Sequence, residues 1–229
     1  MAAAPPFADI KACVFDAYGT VYDFNSAAAR CRDVLGDKAE KLSELWRAKQ
    51  LQYTWLRSLM GQYAKFWQVT GEALDYSMAA LGIEDRALHA RLMGLYERLE
   101  TFPEVMDVLR HLRGKHMRLA ILSNGSPEML DAVAANSGVG PLLDANLSVD
   151  AVGIFKPDMR IYRLACDRLG VKADEICFLS SNAWDAVGGA AFGYRVAWVN
   201  RYKQPRERLP AQPQAEIATL RELPSLLGL

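Results

Sequence analysis

The segment Val14-Phe15-Asp16-Ala17-Tyr18-Gly19-Thr20 constrains this chain more than any other. An apolar run that begins at Ile10 stops at a carboxylate, followed by a glycine and a hydroxyl residue. Such a run reads as a buried parallel strand whose carboxyl end delivers Asp16 into a crevice, with Gly19 permitting a tight exit. An aspartate there can be a nucleophile, a general base, a metal ligand or a helix cap, and the segment alone favours a cap or turn, since Asp and Thr are common where strands hand over to helices.

The same pattern recurs downstream. The apolar run 118–122 ends in Ser123-Asn124-Gly125, and 176–179 ends in Ser180-Ser181-Asn182, with Trp184 and Asp185 just beyond. Residues 146–149 and 195–199 are further strand candidates, and 217–227 reads as a strand fragment or a helix. Helices predicted over 104–113, 127–136, 160–169 and 186–192 separate these runs. Strands alternating with helices predict an α/β fold: a doubly wound, mainly parallel, Rossmann-like sheet that binds ligands beyond the carboxyl ends of its strands. On that fold Asp16, Ser123, Asn124, Ser180 and Asn182 converge on one crevice, which favours chemistry over capping for Asp16.

Residues 22–101 interrupt the alternation. The Ala-rich stretch 26–32 can begin a helix, 37–60 is a longer one, 63–81 is aromatic-heavy and closed by Gly82, and 88–99 is amphipathic. No long central strand is predicted there. The expectation is a helical cap over 22–101, laid across a core of 8–21 and 102–229; one more helical layer of the core is the alternative. Within it, Arg47 shares a helix face with Leu51 and Trp55. Its guanidinium either snorkels over apolar surface or is held in an apolar pocket to receive an anion, where a low dielectric enlarges its attraction.

Charge and motif content exclude several functions. Lys+Arg 27 against Asp+Glu 27 leaves a net charge of +0, so no global field recruits nucleic acid or a membrane surface. Cys13, Cys31, Cys166 and Cys177 form no CxxC pair and read as reduced core residues of a cytoplasmic protein. No cysteine accompanies His89, His111 and His116, which argues against zinc. No run approaches membrane-spanning length, and 1–7 reads as a disordered start without leader character. GxSxG, GxxxxGK[ST] and HExxH are absent, and Gly138-Val139-Gly140 completes no dinucleotide fingerprint. Asp16 remains the nucleophile candidate, with Lys156 the cation that keeps it ionised.

Together, Asp16-Ala17-Tyr18-Gly19-Thr20, Ser123-Asn124-Gly125, Phe155-Lys156-Pro157 and Asp185 resemble the four motif positions of the haloacid dehalogenase superfamily, over nearly the whole chain. Most members are magnesium-dependent phosphatases with a second aspartate two residues after the nucleophile, where this chain has Tyr18. They also hold magnesium with paired late acids, where Ser180-Ser181-Asn182-Ala183-Trp184-Asp185 carries one carboxylate. A halide leaves without a proton, so the missing acid matters little for dehalogenation and greatly for phosphate esters. The departures are similar to the L-2-haloacid dehalogenase branch. Its pattern also includes Trp46-Arg47-Ala48-Lys49-Gln50-Leu51, followed by Tyr53 and Trp55-Leu56-Arg57.

The resemblance implies hydrolysis of a 2-haloalkanoic acid with no metal and no cofactor. Asp16 displaces the halide with inversion and forms an ester; Arg47, Asn124 and Trp184 receive the halide. Ser123 and the backbone N–H groups of Ala17 and Tyr18 take the substrate carboxylate, and Thr20 orients Asp16. Asp185, with Lys156, Asn182 and Ser180, activates the water that cleaves the ester, and Tyr162 positions Lys156 or Asp185. Tyr18, Leu51, Phe66 and Trp184 line the alkyl pocket. For Phe66 core packing, and for Ser180 a helix cap, stay open as alternatives. Stereospecificity for the L form and a homodimer follow from the family, and fluoroacetate or 2-fluoro acids are the demanding substrates. A magnesium phosphatase and a non-catalytic binding protein on the same fold are the competing functions.

Overall fold

The computed structural model describes residues 7–24 and 30–229. The disordered start expected at 1–7 lies outside them except for Phe7, which is buried, and so does most of the helix expected at 26–32.

Among the described residues six strands form one sheet: β1 (Ala12–Phe15), β2 (Arg118–Ser123), β3 (Ala145–Ser148), β4 (Ile176–Ser180), β5 (Arg195–Val199) and β6 (Ala215–Ile217). They lie in the order β3-β2-β1-β4-β5-β6, and every pairing is parallel, so the sheet is wholly rather than mainly parallel. Parallel strands covered on both faces need continuous apolar sequence, and every residue of β1 and β4 is buried. β1 is central. From β1 the chain runs outward to β2 and β3 on one side, then crosses back from β3 to β4 on the other, which makes the carboxyl ends of β1 and β4 a topological switch point.

Before β2 come α1 (Arg32–Leu35), α2 (Lys38–Met60), α3 (Phe66–Ala80), α4 (Arg86–Tyr96) and α5 (Val105–Gly114). After it come α6 (Pro127–Ser137), α7 (Met159–Leu169), α8 (Ala183–Phe192) and α9 (Leu223–Leu226). Local chemistry sets the ends. Gly61 closes α2 in the left-handed region at φ 64, a conformation that costs a glycine little. α4 starts before the predicted residue 88 because the Asp85 carboxylate caps it, accepting from the Leu88 N–H at 2.9 Å.

α8 also begins earlier than its predicted start at 186, since extended Asn182 leads straight into Ala183. Trp184 and Asp185 therefore occupy its first turn. Residues 217–227 contain both a strand end and a short helix. α2 packs along α3, pinned where the buried Trp46 indole donates to the Thr70 carbonyl at 2.8 Å. All four cysteines are free and buried, and among the described residues no helix is long and apolar enough to cross a membrane.

Candidate active site

The three polar strand ends meet at the switch point. Asp16 follows the last residue of β1 and is only 6% exposed. Its Oδ2 accepts from Asn182 Nδ2 at 2.8 Å, beyond β4, and its Oδ1 from Lys156 Nζ at 3.1 Å. Thr20 Oγ1 lies 3.3 Å from Asp16 Oδ2 and accepts the Ser181 N–H at 2.8 Å, so it ties the turn after β1 to the turn after β4. Gly19 makes that turn possible: it sits at φ +89, and a Cβ there would fall 2.9 Å from Ser181 Oγ.

Lys156 is the electrostatic centre. Its side chain is 1% exposed, and the ammonium also donates to Asp185 Oδ2 at 2.8 Å. Burial works against that ammonium, but Asp16 and Asp185 together outweigh it and hold it above the usual lysine value. Burial pushes the fully buried Asp185 carboxyl above the ordinary carboxylate range, and Lys156 offsets this only in part. The Tyr162 hydroxyl donates to Asp185 Oδ1 at 2.8 Å, so Tyr162 holds Asp185 rather than Lys156. Burial keeps this phenol protonated, well above its ordinary value.

Arg47 approaches from α2. Its Nη2 donates to Asn182 Oδ1 at 3.1 Å, its Nη1 to Gln50 Oε1 at 2.8 Å, and the guanidinium carbon stands 5.0 Å from the Phe24 ring centroid. It is half-buried, and the aromatic ring it meets is Phe24, outside the helix face that it shares with Leu51 and Trp55. Asn182 thus bridges Arg47 to Asp16, a linkage that separations of 135 and 166 residues hide from any local pattern.

The other predicted residues fall around this centre. Asn124 Oδ1 accepts the Lys156 N–H at 3.0 Å, which leaves donor chemistry to its amide nitrogen. Ser123, at the end of β2, accepts the Gly125 N–H at 3.1 Å. Ser180 Oγ accepts the Asn182 N–H at 3.2 Å and so shapes the turn into α8. Ala17 is buried, and its carbonyl accepts the Val21 N–H at 2.9 Å within the turn that carries Asp16. Tyr18 stacks on Phe66 at 5.8 Å and meets Tyr96 at 5.2 Å, so both Tyr18 and Phe66 belong to a buried aromatic wall. Leu51 is half-buried on α2, and Trp184 meets Trp55 edge-on at 5.4 Å. Gln50, Tyr96 and Phe24 touch the site residues without having been singled out. The i, i+3 spacing from Arg47 is a signal for Gln50, whereas Tyr96 and Phe24 carry none.

Fold and site define a class: a parallel α/β protein that presents a lysine-held aspartate at the carboxyl edge of its sheet. The model of the haloacid dehalogenase-like hydrolases matches residues 10–193, and the chain belongs to that family. Within it the chain sits on the L-2-haloacid dehalogenase branch. It is 47% identical to (S)-2-haloacid dehalogenase 4A of Burkholderia cepacia, over 96% of this chain and 95% of that one. A solved dehalogenase structure aligns at 46% identity with a TM-score of 0.95, covering 97% and 99% of the two chains. The L-2-haloacid dehalogenase of Xanthobacter autotrophicus, solved with chloropropionic acid covalently bound, aligns at 38% identity and a TM-score of 0.89, covering 96% and 98%.

Proposed function

We propose that this hydrolase converts short-chain L-2-haloalkanoic acids to D-2-hydroxy acids through an Asp16 ester, without a metal ion. The observation that carries the reading is one buried carboxylate held by an ammonium at 3.1 Å and an amide at 2.8 Å, with Arg47 joined to the same amide. An Asp16 oxygen attacks C2 from behind, and the halide leaves with the electron pair of the broken carbon–halogen bond. Arg47, the Asn124 amide and the edge of the Trp184 ring receive it, while Ser123 and the N–H groups after Asp16 hold the substrate carboxylate. Water then attacks the ester carbonyl carbon. Asp185 takes one water proton and passes it to the departing oxygen, which frees the hydroxy acid, and the second water proton, left on Asp16, goes to solvent and restores the carboxylate.

Several features support this over a phosphatase. Tyr18 stands where a leaving-group acid would be, and it is buried and held protonated. Asp16 and Asp185 share the Lys156 ammonium, and among the described residues no three His, Cys, Asp or Glu side chains gather as a metal site. That donor set does not fit magnesium. The covalent chloropropionic acid of the Xanthobacter protein supports the ester step. Residues 22–101 act as a cap over the core, 2-fluoro acids form the hard end of the substrate range, and the active form is a homodimer. The exposed Leu56, Leu59 and Met60 on α2 supply an apolar face for the last.

The test is halide release from (S)- and (R)-2-chloropropionate, with EDTA present and Asp16→Asn as control. Release from the S form alone, unaffected by EDTA and lost in the variant, is the expected result. Magnesium-dependent cleavage of a phosphate ester with no halide release would overturn the reading.

A further inference from the structure

Beside Arg47, α2, α3 and α4 enclose a polar cluster that an apolar helical layer has no packing reason to hold. Gln50 is 1% exposed, Thr70 is fully buried and Tyr96 is 4% exposed. Burying amides and hydroxyls costs stability unless they are bonded, and these are bonded to one another.

The hydrogen-bond directions are determined. The Thr70 hydroxyl donates its only proton to the Phe66 carbonyl at 2.7 Å, so toward Gln50 it must accept. It receives Gln50 Nε2 at 2.7 Å, while the Tyr96 hydroxyl touches both ends of the amide, at 3.2 Å from Nε2 and 3.3 Å from Oε1. The other end of the amide is therefore oxygen, and it faces Arg47 Nη1 at 2.8 Å. An arginine only donates, so both neighbours require the same amide orientation. A guanidinium has five N–H donors, more than Gln50 and Asn182 consume, so anchoring still leaves donors for an anion.

We infer that Gln50, oriented by Thr70, is a positioning residue that holds the Arg47 guanidinium where the departing halide needs it. The inference rests on the dehalogenase reading and extends it to a residue that touches neither substrate nor nucleophile. A preorganised cation stabilises charge as it develops, without reorganising during the reaction. Chloride is the poorer leaving group and depends more on such stabilisation than bromide. Loss of Gln50 must therefore be felt unequally by the two halogens.

The experiment compares wild type, Gln50→Met and Thr70→Val in single-turnover halide release from (S)-2-chloro- and (S)-2-bromopropionate. Methionine keeps the chain length and removes the hydrogen bonds to Arg47, Thr70 and Tyr96. Chloride release is expected to slow about tenfold in Gln50→Met, and bromide release by distinctly less, so that the bromide-to-chloride rate ratio rises about threefold. Thr70→Val, which only frees the amide to turn, moves the ratio in the same direction by less; it also keeps the test in hand if Gln50→Met fails to fold. Equal losses for both halogens, or an unchanged ratio in both variants, overturn the inference and leave Gln50 as packing. A wild type that releases no halide overturns the dehalogenase reading and this inference with it, a result distinct from any change of ratio.

Discussion

Between Asp16 and Asp185, Lys156 supplies one ammonium to two carboxylates, and each of the three is almost fully excluded from water. Lys156→Met would leave both acids without their cation, and removing one partner of a buried ion pair costs about 3–5 kcal/mol. Urea unfolding near neutral pH should show a loss of that size. Because the folded-state value of Lys156 is raised, its contribution is complete below the ordinary lysine value of about 10.4 and is lost only as pH climbs through the higher folded value. The gap between wild type and variant should thus stay level from about pH 6 to 9 and narrow only in strong alkali.

Asp185 titrates in the opposite functional sense. Burial raises its carboxyl, and a general base must be ionised, so ester hydrolysis should fall on the acid side at a pH above the ordinary carboxylate range. In Asp185→Asn, ester hydrolysis should slow roughly 100- to 10,000-fold, leaving a stoichiometric burst of halide and no sustained turnover. Sustained turnover would remove Asp185 from the water step. Asp16 was legible as a charge ending an apolar run, Asp185 as a carboxylate just beyond a polar strand end and Lys156 as a cation beside a proline, but the contact of Asp16 with Lys156 spans 140 residues and only the fold creates it.

Elements carry the next layer of control, and α8 is the clearest case. Its small residues read as a helix but give no reason for being small. Gly188 supplies one: a Cβ there would overlap the Tyr162 hydroxyl and lie 2.9 Å from Pro157 Cβ. The bare backbone lets α7 and α8 approach closely enough for Tyr162 to reach Asp185. Gly188→Ala should destabilise the fold by about 1–3 kcal/mol, the usual cost of overpacking, and should slow ester hydrolysis more than halide release. An equal fall in both steps would mean that only packing was disturbed. The strands were readable because parallel buried strands demand unbroken apolar sequence. The first turn of α8 was not, although Asn182, Ala183 and Asp185 are residues that a helix start favours, because the polar string reads as a strand end and Asn182 is held extended by its bonds to Asp16 and Arg47.

The whole molecule must hold a helical segment and a sheet at fixed distance, because Arg47 belongs to the first and Asp16 to the second. If the apolar face of Leu56, Leu59 and Met60 joins two copies, Leu59→Glu should shift the sedimenting species to a monomer, and an unchanged mass would place that interface elsewhere. Within one chain the two crossings between segment and sheet lie side by side, Phe102 N–H donating to the Val21 carbonyl at 3.1 Å. Arg201, from the loop after β5, clamps them. It donates to Glu104 at 2.6 Å and to the Thr20 carbonyl at 2.9 Å, and its guanidinium carbon is 3.7 Å from the Phe102 ring centroid.

Burial alone would raise the Glu104 carboxyl, but the Arg201 hydrogen bond and its companions bring it below the usual value. A depressed carboxylate stabilises above its unfolded value of about 4.3, and that stability disappears as pH falls through the folded value. With both side chains less than a tenth exposed, Arg201→Leu should cost about 3–5 kcal/mol at neutral pH, and the difference from wild type should shrink below about pH 4. Urea unfolding at the two pH values decides it. A difference that does not close in acid would mean that Arg201 works through its stacking on Phe102 and its bond to Thr20, the two contacts that protonating Glu104 leaves intact.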